Sequence, residues 1–453
     1  MLHFSTEPID LGKSTIARAI QSQEAYTRRL RNCCHDFEYA CNEASVTLPG
    51  DEPYQQLIYS IIDKKRTIGI DKIIVEGIGN ADLSVRAIYE AVGTRSTLEG
   101  KAFTPIRFLD TVDPLRTELA NRTLKAELGR GRNILLNVVS KSGNTTETIA
   151  NFELLLQVYR EARPHDWHEL VVVTTGRNSP LWKAARSIGI DILPVYEKVG
   201  GRYGALSSVS LFPLGLAHVD VVSLLNGARE ARDTYLYAKK PSHNLPLASA
   251  ATLFAATKRK KPIYIHDTFL FAKDLEYLGR WYRQLLAESI GKEHDRKGKR
   301  VETGLLPTVS IGSTDLHSRA QLYLGGPSHS ITTFVTLNNW PVDPAVPADT
   351  NPNDPYPSIV PHIRGKTFAQ LMSAITQGTQ GAYKKQKRPY MHIQFDHLDE
   401  HHIGAFMQFK MLEVMYLGNM LNINAFDQPH VELYKAITRE VLAKGMPTTP
   451  AAS

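Results

Sequence analysis

Between residues 140 and 148 the chain reads Ser140-Lys141-Ser142-Gly143-Asn144-Thr145-Thr146-Glu147-Thr148, placing five hydroxyl side chains and a glycine between an apolar run and a helix-like run. Hydroxyls and free backbone amides at a helix N-terminus converge on one point, where the helix dipole adds a partial positive charge. That chemistry suits a phosphate. A capping box of Asn144 and Glu147 would use only part of the segment. A second turn, Gly77-Ile78-Gly79-Asn80, follows the run at 72–76, as the first turn of a dinucleotide fold does. Position 82 is Asp where that fingerprint has its third glycine, so a nucleotide cofactor is discounted and a close backbone approach to a small ligand remains. His392, His397, His401 and His402, with Asp396, Asp399 and Glu400, straddle a strand end and a helix start rather than lining one helix face. No metal is expected there.

These residues need elements to hold them. Residues 12–65 have mixed three-and-four apolar spacing and no proline before Pro49, which predicts helices. β-branched runs then alternate with helical stretches: 72–76, 106–109, 133–139, 170–175 and 190–195. They are nearly continuous rather than alternating, as for parallel strands covered on both faces. A second set follows, with strands at 262–266, 306–311 and 332–336 and a long helix at 269–289. Residues 202–238 read as helical, and 341–361 as a proline-rich surface excursion. Helices at 404–421 and 430–444 with apolar faces close the chain.

With 453 residues, 42% hydrophobic and 22% charged, disorder is excluded and two to three domains fit. Three cysteines cannot staple a secreted mini-protein, and no secretory leader is evident, so a cytoplasmic location is expected. The net charge of +7 favours anionic partners. Its basic runs at 258–261 and 296–300 are short and lack interleaved aromatics, which speaks against nucleic acid. The most apolar stretch, 206–225, contains Pro213, His218 and Asp220, so no membrane span is expected.

Four further segments occur in order: Gly200-Gly201-Arg202-Tyr203; Gln284 to Lys292 with Glu288, Ser289 and Gly291; Thr314-Asp315-Leu316-His317; and Asn424 to Lys435 with Phe426-Asp427-Gln428-Pro429. Together with the hydroxyl loop they resemble the glucose-6-phosphate isomerase family, from about residue 70 to about residue 440. The resemblance implies an α/β fold of two doubly wound, parallel-sheet sugar-isomerase domains, flavodoxin-like, with a helical N-terminal arm and C-terminal helices. On that basis the chain divides into an arm (1–65), a first domain (66–201), a helical connector (202–245), a second domain (246–397) and closing helices (398–453). It further implies a homodimer that interconverts glucose 6-phosphate and fructose 6-phosphate without cofactor or metal, through a cis-enediol.

The residues offered for that chemistry follow from the resemblance. Glu288 would move the proton between C2 and C1, with Gln284 one helical turn before it on the same face. Arg202 would hold the enediolate oxygen, while His317 and Lys435 would open the ring. Ser140, Lys141 (mainly through its backbone), Ser142, Thr145 and Thr148 would bind the phosphate, and Gln428, Gly79 and Asn80 the sugar. The chain departs from the family pattern at Asn80-Ala81, Gly204 and His430, the last of which could narrow the pocket or donate to a sugar hydroxyl. A dual glucose/mannose phosphate isomerase and a non-catalytic phosphosugar-binding regulator are the alternatives.

Overall fold

The computed structural model describes residues 2–7, 9–348, 359–360 and 362–444. It opens with a strand, β1 (Leu2–Glu7), where an arm made only of helices was expected over 1–65. Leu2 and Phe4 alternate with the exposed His3 and Ser5, a period of two that six residues are too few to advertise. The helices Lys13–Gln21, Glu24–Cys33 and Glu52–Arg66 then follow.

The first sheet contains β2 (Lys72–Glu76), β3 (Ile106–Leu109), β4 (Ile134–Ser140), β5 (Val171–Gly176) and β6 (Asp191–Val195). All pairs are parallel, in the order β3-β2-β4-β5-β6. This is a doubly wound order, and its direction reverses between β2 and β4, where such sheets bind ligands beyond the strands' carboxyl ends. Both the Gly77 turn and the hydroxyl loop leave the sheet at that crevice. β4 is buried along its whole length, which is why its sequence shows no alternation. Its one amide side chain, Asn137, donates to Val172 O at 3.2 Å and Thr174 Oγ1 at 3.0 Å.

The connector is a 3-10 turn, Gly201–Leu206, and the helices Ser208–Leu216 and Val221–Leu236. Every residue of Ser208–Leu216 is buried. No helix among the described residues is long and apolar enough to cross a membrane.

The second sheet contains β7 (Ile265–Leu270), then, after a small hairpin of β8 (Lys292–His294) and β9 (Arg300–Thr303), β10 (Leu306–Ile311), β11 (Ser330–Asn339) and β12 (Tyr390–His397). The order is β1-β12-β11-β7-β10, with β1 antiparallel and the rest parallel. β7 lies later than the strand expected at 262–266, and the helix expected from 269 starts at Glu276 and ends at Ile290. The polar triplet His266-Asp267-Thr268 hid the strand. His266 pairs through Nε2 with Thr333 Oγ1 at 2.8 Å, and Asp267 Oδ1 accepts from Thr308 at 2.6 Å and Ser310 at 3.0 Å. Residues 349–358 and 361 of the proline-rich excursion lie outside the described residues.

The closing helix Glu400–Met420 is buried over most of its length and packs on Val221–Leu236. A Cβ at Gly227 would lie 1.9 Å from His401 O, and one at Gly404 1.9 Å from Leu224 O. Only glycines allow these two backbones to touch. The terminal helix Val431–Ala443 differs, having no buried residue and leaving Leu433, Tyr434 and Ile437 exposed.

Candidate active site

Ser140 ends β4, and Thr145 is the N-cap of the helix Thr146–Ala162. The Thr145 side chain does not cap, and Asn144 and Glu147 form no capping box. Instead the Thr145 hydroxyl shares hydrogen bonds with Ser140 Oγ at 2.9 Å and Ser142 Oγ at 3.4 Å. Gly143, at φ +68°, donates its backbone N–H to Ser140 Oγ at 3.1 Å, and a Cβ there would strike Ser179 Oγ at 2.5 Å. Three hydroxyls are thus gathered at a helix N-terminus. Lys141 turns away: its ammonium donates to Glu197 O at 2.7 Å and Val199 O at 2.8 Å. Burial pushes its pKa down. Thr148 is buried and faces Glu76 across the helix–strand interface; burial holds the Glu76 carboxyl well above its usual range.

The neighbouring turn abuts this loop, since a Cβ on Gly77 would lie 2.8 Å from Val139 O. Gly79 has φ +68° and its Cα faces the second half of the chain: a Cβ there would meet Gln284 Nε2 at 3.0 Å. Asn80, the first residue of the helix Asn80–Leu98, is buried beside Gly204. Asn80 Oδ1 and Gln284 Oε1 are both buried without a hydrogen-bond partner. Such atoms are costly unless a ligand satisfies them.

Arg202 joins the halves. It is 3% exposed and donates from Nε to Ser289 Oγ (2.8 Å), from Nη1 to Gln428 Oε1 (2.8 Å), and from Nη2 to Ala425 O (2.7 Å) and Asp427 O (3.0 Å). Nη1 also lies 3.5 Å from Glu288 Oε2. A planar guanidinium can serve so many acceptors at once; an ammonium cannot. Gln284 and Glu288 share a face in the last turns of Glu276–Ile290, and Gln284 Nε2 donates to Glu288 Oε1 at 2.9 Å. The Glu288 side chain is 30% exposed, so a ligand can reach it.

Two sequence-predicted residues are not drawn in. His317 is exposed on the helix Thr314–Gly325 beyond the edge strand β10, and no hydrogen bond or ion pair links it to Glu288. Lys435 stands on the unburied terminal helix with Glu432 at 2.7 Å as its partner. Nor does His430 point at the sugar residues: it pairs with Glu293 at 2.8 Å and is largely exposed, because the neighbouring hairpin offers it a carboxylate. Lys292, at the end of the Gln284–Lys292 segment, has a role that its residue type does not announce. Its ammonium donates to Glu288 O at 2.6 Å and Asp427 O at 2.8 Å, pinning the candidate base's helix to the final motif.

Comparison with known proteins fits this arrangement. A family model described as phosphoglucose isomerase matches residues 61–335. A glucose-6-phosphate isomerase of Thermus thermophilus is 33% identical over 375 residues, 83% of this chain and 84% of its own. One of Methanocaldococcus jannaschii is 29% identical over 386 residues, 85% of this chain and 88% of its own. Among solved structures, a hypothetical protein of Thermus thermophilus superposes with a TM-score of 0.85 at 28% identity, covering 98% of this chain and all of that one. A glucose-6-phosphate isomerase from Chlamydia trachomatis gives 0.81 at 20% identity, covering 100% of this chain and 90% of its own, and so shares the fold. A family model that spans more than half of the chain, and a relative 33% identical over 83% of it, show that the chain belongs to the phosphoglucose isomerase family.

Proposed function

We propose that the protein interconverts glucose 6-phosphate and fructose 6-phosphate, with Glu288 as the base that lifts a proton from C2 and returns it to C1. The single observation that carries this reading is the Arg202 fork, which holds Gln428 at 2.8 Å and faces Glu288 at 3.5 Å. A cation there stabilises the enediolate oxygen formed as the proton leaves. Ser140, Ser142 and Thr145 take the phosphate, Lys141 contributes its backbone, and Thr148 closes the cradle from behind. Asn80 and Gln284 each bring an unpaired buried oxygen that a sugar hydroxyl can satisfy; Gly79 leaves room for them.

Ring opening belongs to His317 and Lys435. Neither touches Glu288 within one chain, which supports a homodimer in which a second copy supplies His317. The uncovered apolar residues of the Lys435 helix support docking as well. Residues 66–201 and 246–397 then form the two sugar-isomerase domains, joined by 202–245 and flanked by 1–65 and 398–453. Three free thiols agree with a cytoplasmic location.

Glu288→Gln keeps the shape and loses the base. Turnover should fall about 100- to 10,000-fold while binding of a non-isomerisable phosphosugar stays within about threefold. Retained turnover would remove Glu288 from the role. Mixing that variant with His317→Ala should restore part of the activity if the site is shared between copies; a mixture as dead as its components places the histidine elsewhere.

A further inference from the structure

Away from the sugar site, Cys33, Cys41 and Glu43 bring one ligand atom each within 4.8 Å of one another. Cys33 ends the helix Glu24–Cys33, and Cys41 sits on the loop that follows. Asp36 Oδ2 accepts from the backbone N–H of Ala40 (2.9 Å) and Cys41 (3.1 Å), fixing that loop over the helix end. Glu43 is buried, and Arg29 orients its carboxylate with two hydrogen bonds of 3.0 Å. From this clustering we infer that the two thiols and the Glu43 carboxylate form a site for a soft divalent cation such as Zn2+.

The chemistry of the donors selects the ion. Thiolates bind zinc strongly and calcium or magnesium hardly at all. Two thiolates and a carboxylate against one guanidinium leave a formal charge of −2, which a divalent cation cancels. The bidentate arginine acts as the outer-sphere partner that metal-binding carboxylates generally have. Access is available, because Cys41 is only partly buried and Glu43 also lines a cleft of about 820 Å3 between the N-terminal helices and the β8–β9 hairpin. Cys34 does not take part, as its thiol donates to Leu30 O at 3.2 Å. A second group, Asp399, His401 and His402, offers no thiolate; there Asp399 accepts from His402 N at 2.9 Å and pairs with its ring at 2.7 Å, while His401 pairs with Glu230 at 3.0 Å.

The site also borders the catalytic crevice. The turn Ala44–Val46, directly after Glu43, packs against Gly201–Leu206, the segment that carries Arg202. An ion that fixes Glu43 therefore stiffens the wall behind the arginine.

The test is metal uptake by the reduced full chain in competition with a chromogenic chelator, followed by Co2+ substitution. One equivalent of Zn2+ per chain should bind, and Co2+ should give a thiolate-to-cobalt charge-transfer band. Cys33→Ser and Cys41→Ser should each weaken Zn2+ binding by at least about 10- to 100-fold, the loss that even an outer-sphere change brings; Cys34→Ser should leave it unchanged. Cys41 lies on a partly exposed loop, so its variant reports on ligation without disturbing a core. Uptake no stronger than the chelator's, a cobalt spectrum without the thiolate band, or binding indifferent to Cys41→Ser would overturn the site. None of these readouts depends on isomerase turnover.

Discussion

The two halves are each built on a mainly parallel sheet, and one buried acidic site in each handles charge differently. In the first, Glu76 and Asp82 lie at the crevice with no cation bonded to them, and burial is the main force pushing both carboxyls upward. In the second, Glu413 is fully buried yet ionically matched: Lys410 Nζ donates to it at 3.0 and 3.1 Å, Tyr282 OH at 2.5 Å, and Ser249 through its hydroxyl. Burial raises both carboxyls of the first half, and a phosphate dianion bound in that crevice, as proposed above, would push in the same direction. In the second half Glu413 is instead paired with Lys410, whereas Asp267, also buried there, is held above its usual range by burial and accepts only from hydroxyls. The Lys410–Glu413 pair also fixes the helix that carries Glu288, since Tyr282 and Glu288 lie on the same Glu276–Ile290 segment.

The largest effect should come from breaking the paired charge. Lys410→Met leaves Glu413 buried without its cation and should lower unfolding free energy by about 3–5 kcal/mol, read by denaturant titration. Adding Glu413→Leu should recover much of the loss, because a buried pair replaced by apolar groups of similar size is often neutral. If the single variant loses under about 1 kcal/mol, far below the usual cost of an uncompensated buried charge, the second half does not depend on matched charge and the contrast fails.

Next is the anion side. Thr145→Val keeps the branched shape, and because the Thr145 side chain caps nothing, the helix loses no cap. Removing its hydroxyl from a dianion should cost about 1.5–3 kcal/mol, a rise of about 10- to 100-fold in KM for the phosphosugar. An unchanged KM would move the phosphate away from this helix end. A fall in kcat alone would point the same way, because an anchor remote from the reacting carbons acts mainly on binding.

The hydroxyl cradle was legible because its parts are local: a buried strand, a glycine and a helix start within one short stretch of sequence. Most of the first sheet was legible for the same reason, its apolar runs being unbroken. What failed was long-range or polar. β1 pairs with β12 from the far end of the chain, as in Leu2 opposite Phe395, and nothing in a six-residue alternation names that partner. β7 was displaced because His266, Asp267 and Thr268 look like a loop until their cross-strand partners are known. The meeting of Arg202 with Gln428 spans 226 residues. Side-chain type alone could not foresee it, and only the family resemblance pointed to it. The apolar face of the terminal helix was read correctly as a pattern, but a pattern does not say whether its cover lies in the same chain.

The smallest effect concerns Asp82, and its sign separates it most cleanly from the paired Glu413. Asp82 sits in the first turn of Asn80–Leu98 with Oδ1 buried and unpartnered. Burial first, then repulsion from Asp110, push its carboxyl up to about 7, against the pull of Arg86. Its folded-state value is therefore raised above the unfolded one. The folded chain keeps a proton that the unfolded chain has lost, so stability is full below about pH 4. It falls as pH rises through the folded value of about 7. Asp82→Asn removes this titration. Relative to the parent, its Tm should change little at about pH 4 and stand higher by at least about 2 °C at about pH 8. A Tm difference independent of pH would mean that Asp82 stays ionised in the folded chain throughout this range. The first half would then tolerate an unpaired negative charge at Asp82, and that site would no longer differ from the paired Glu413 in the way its burial implies.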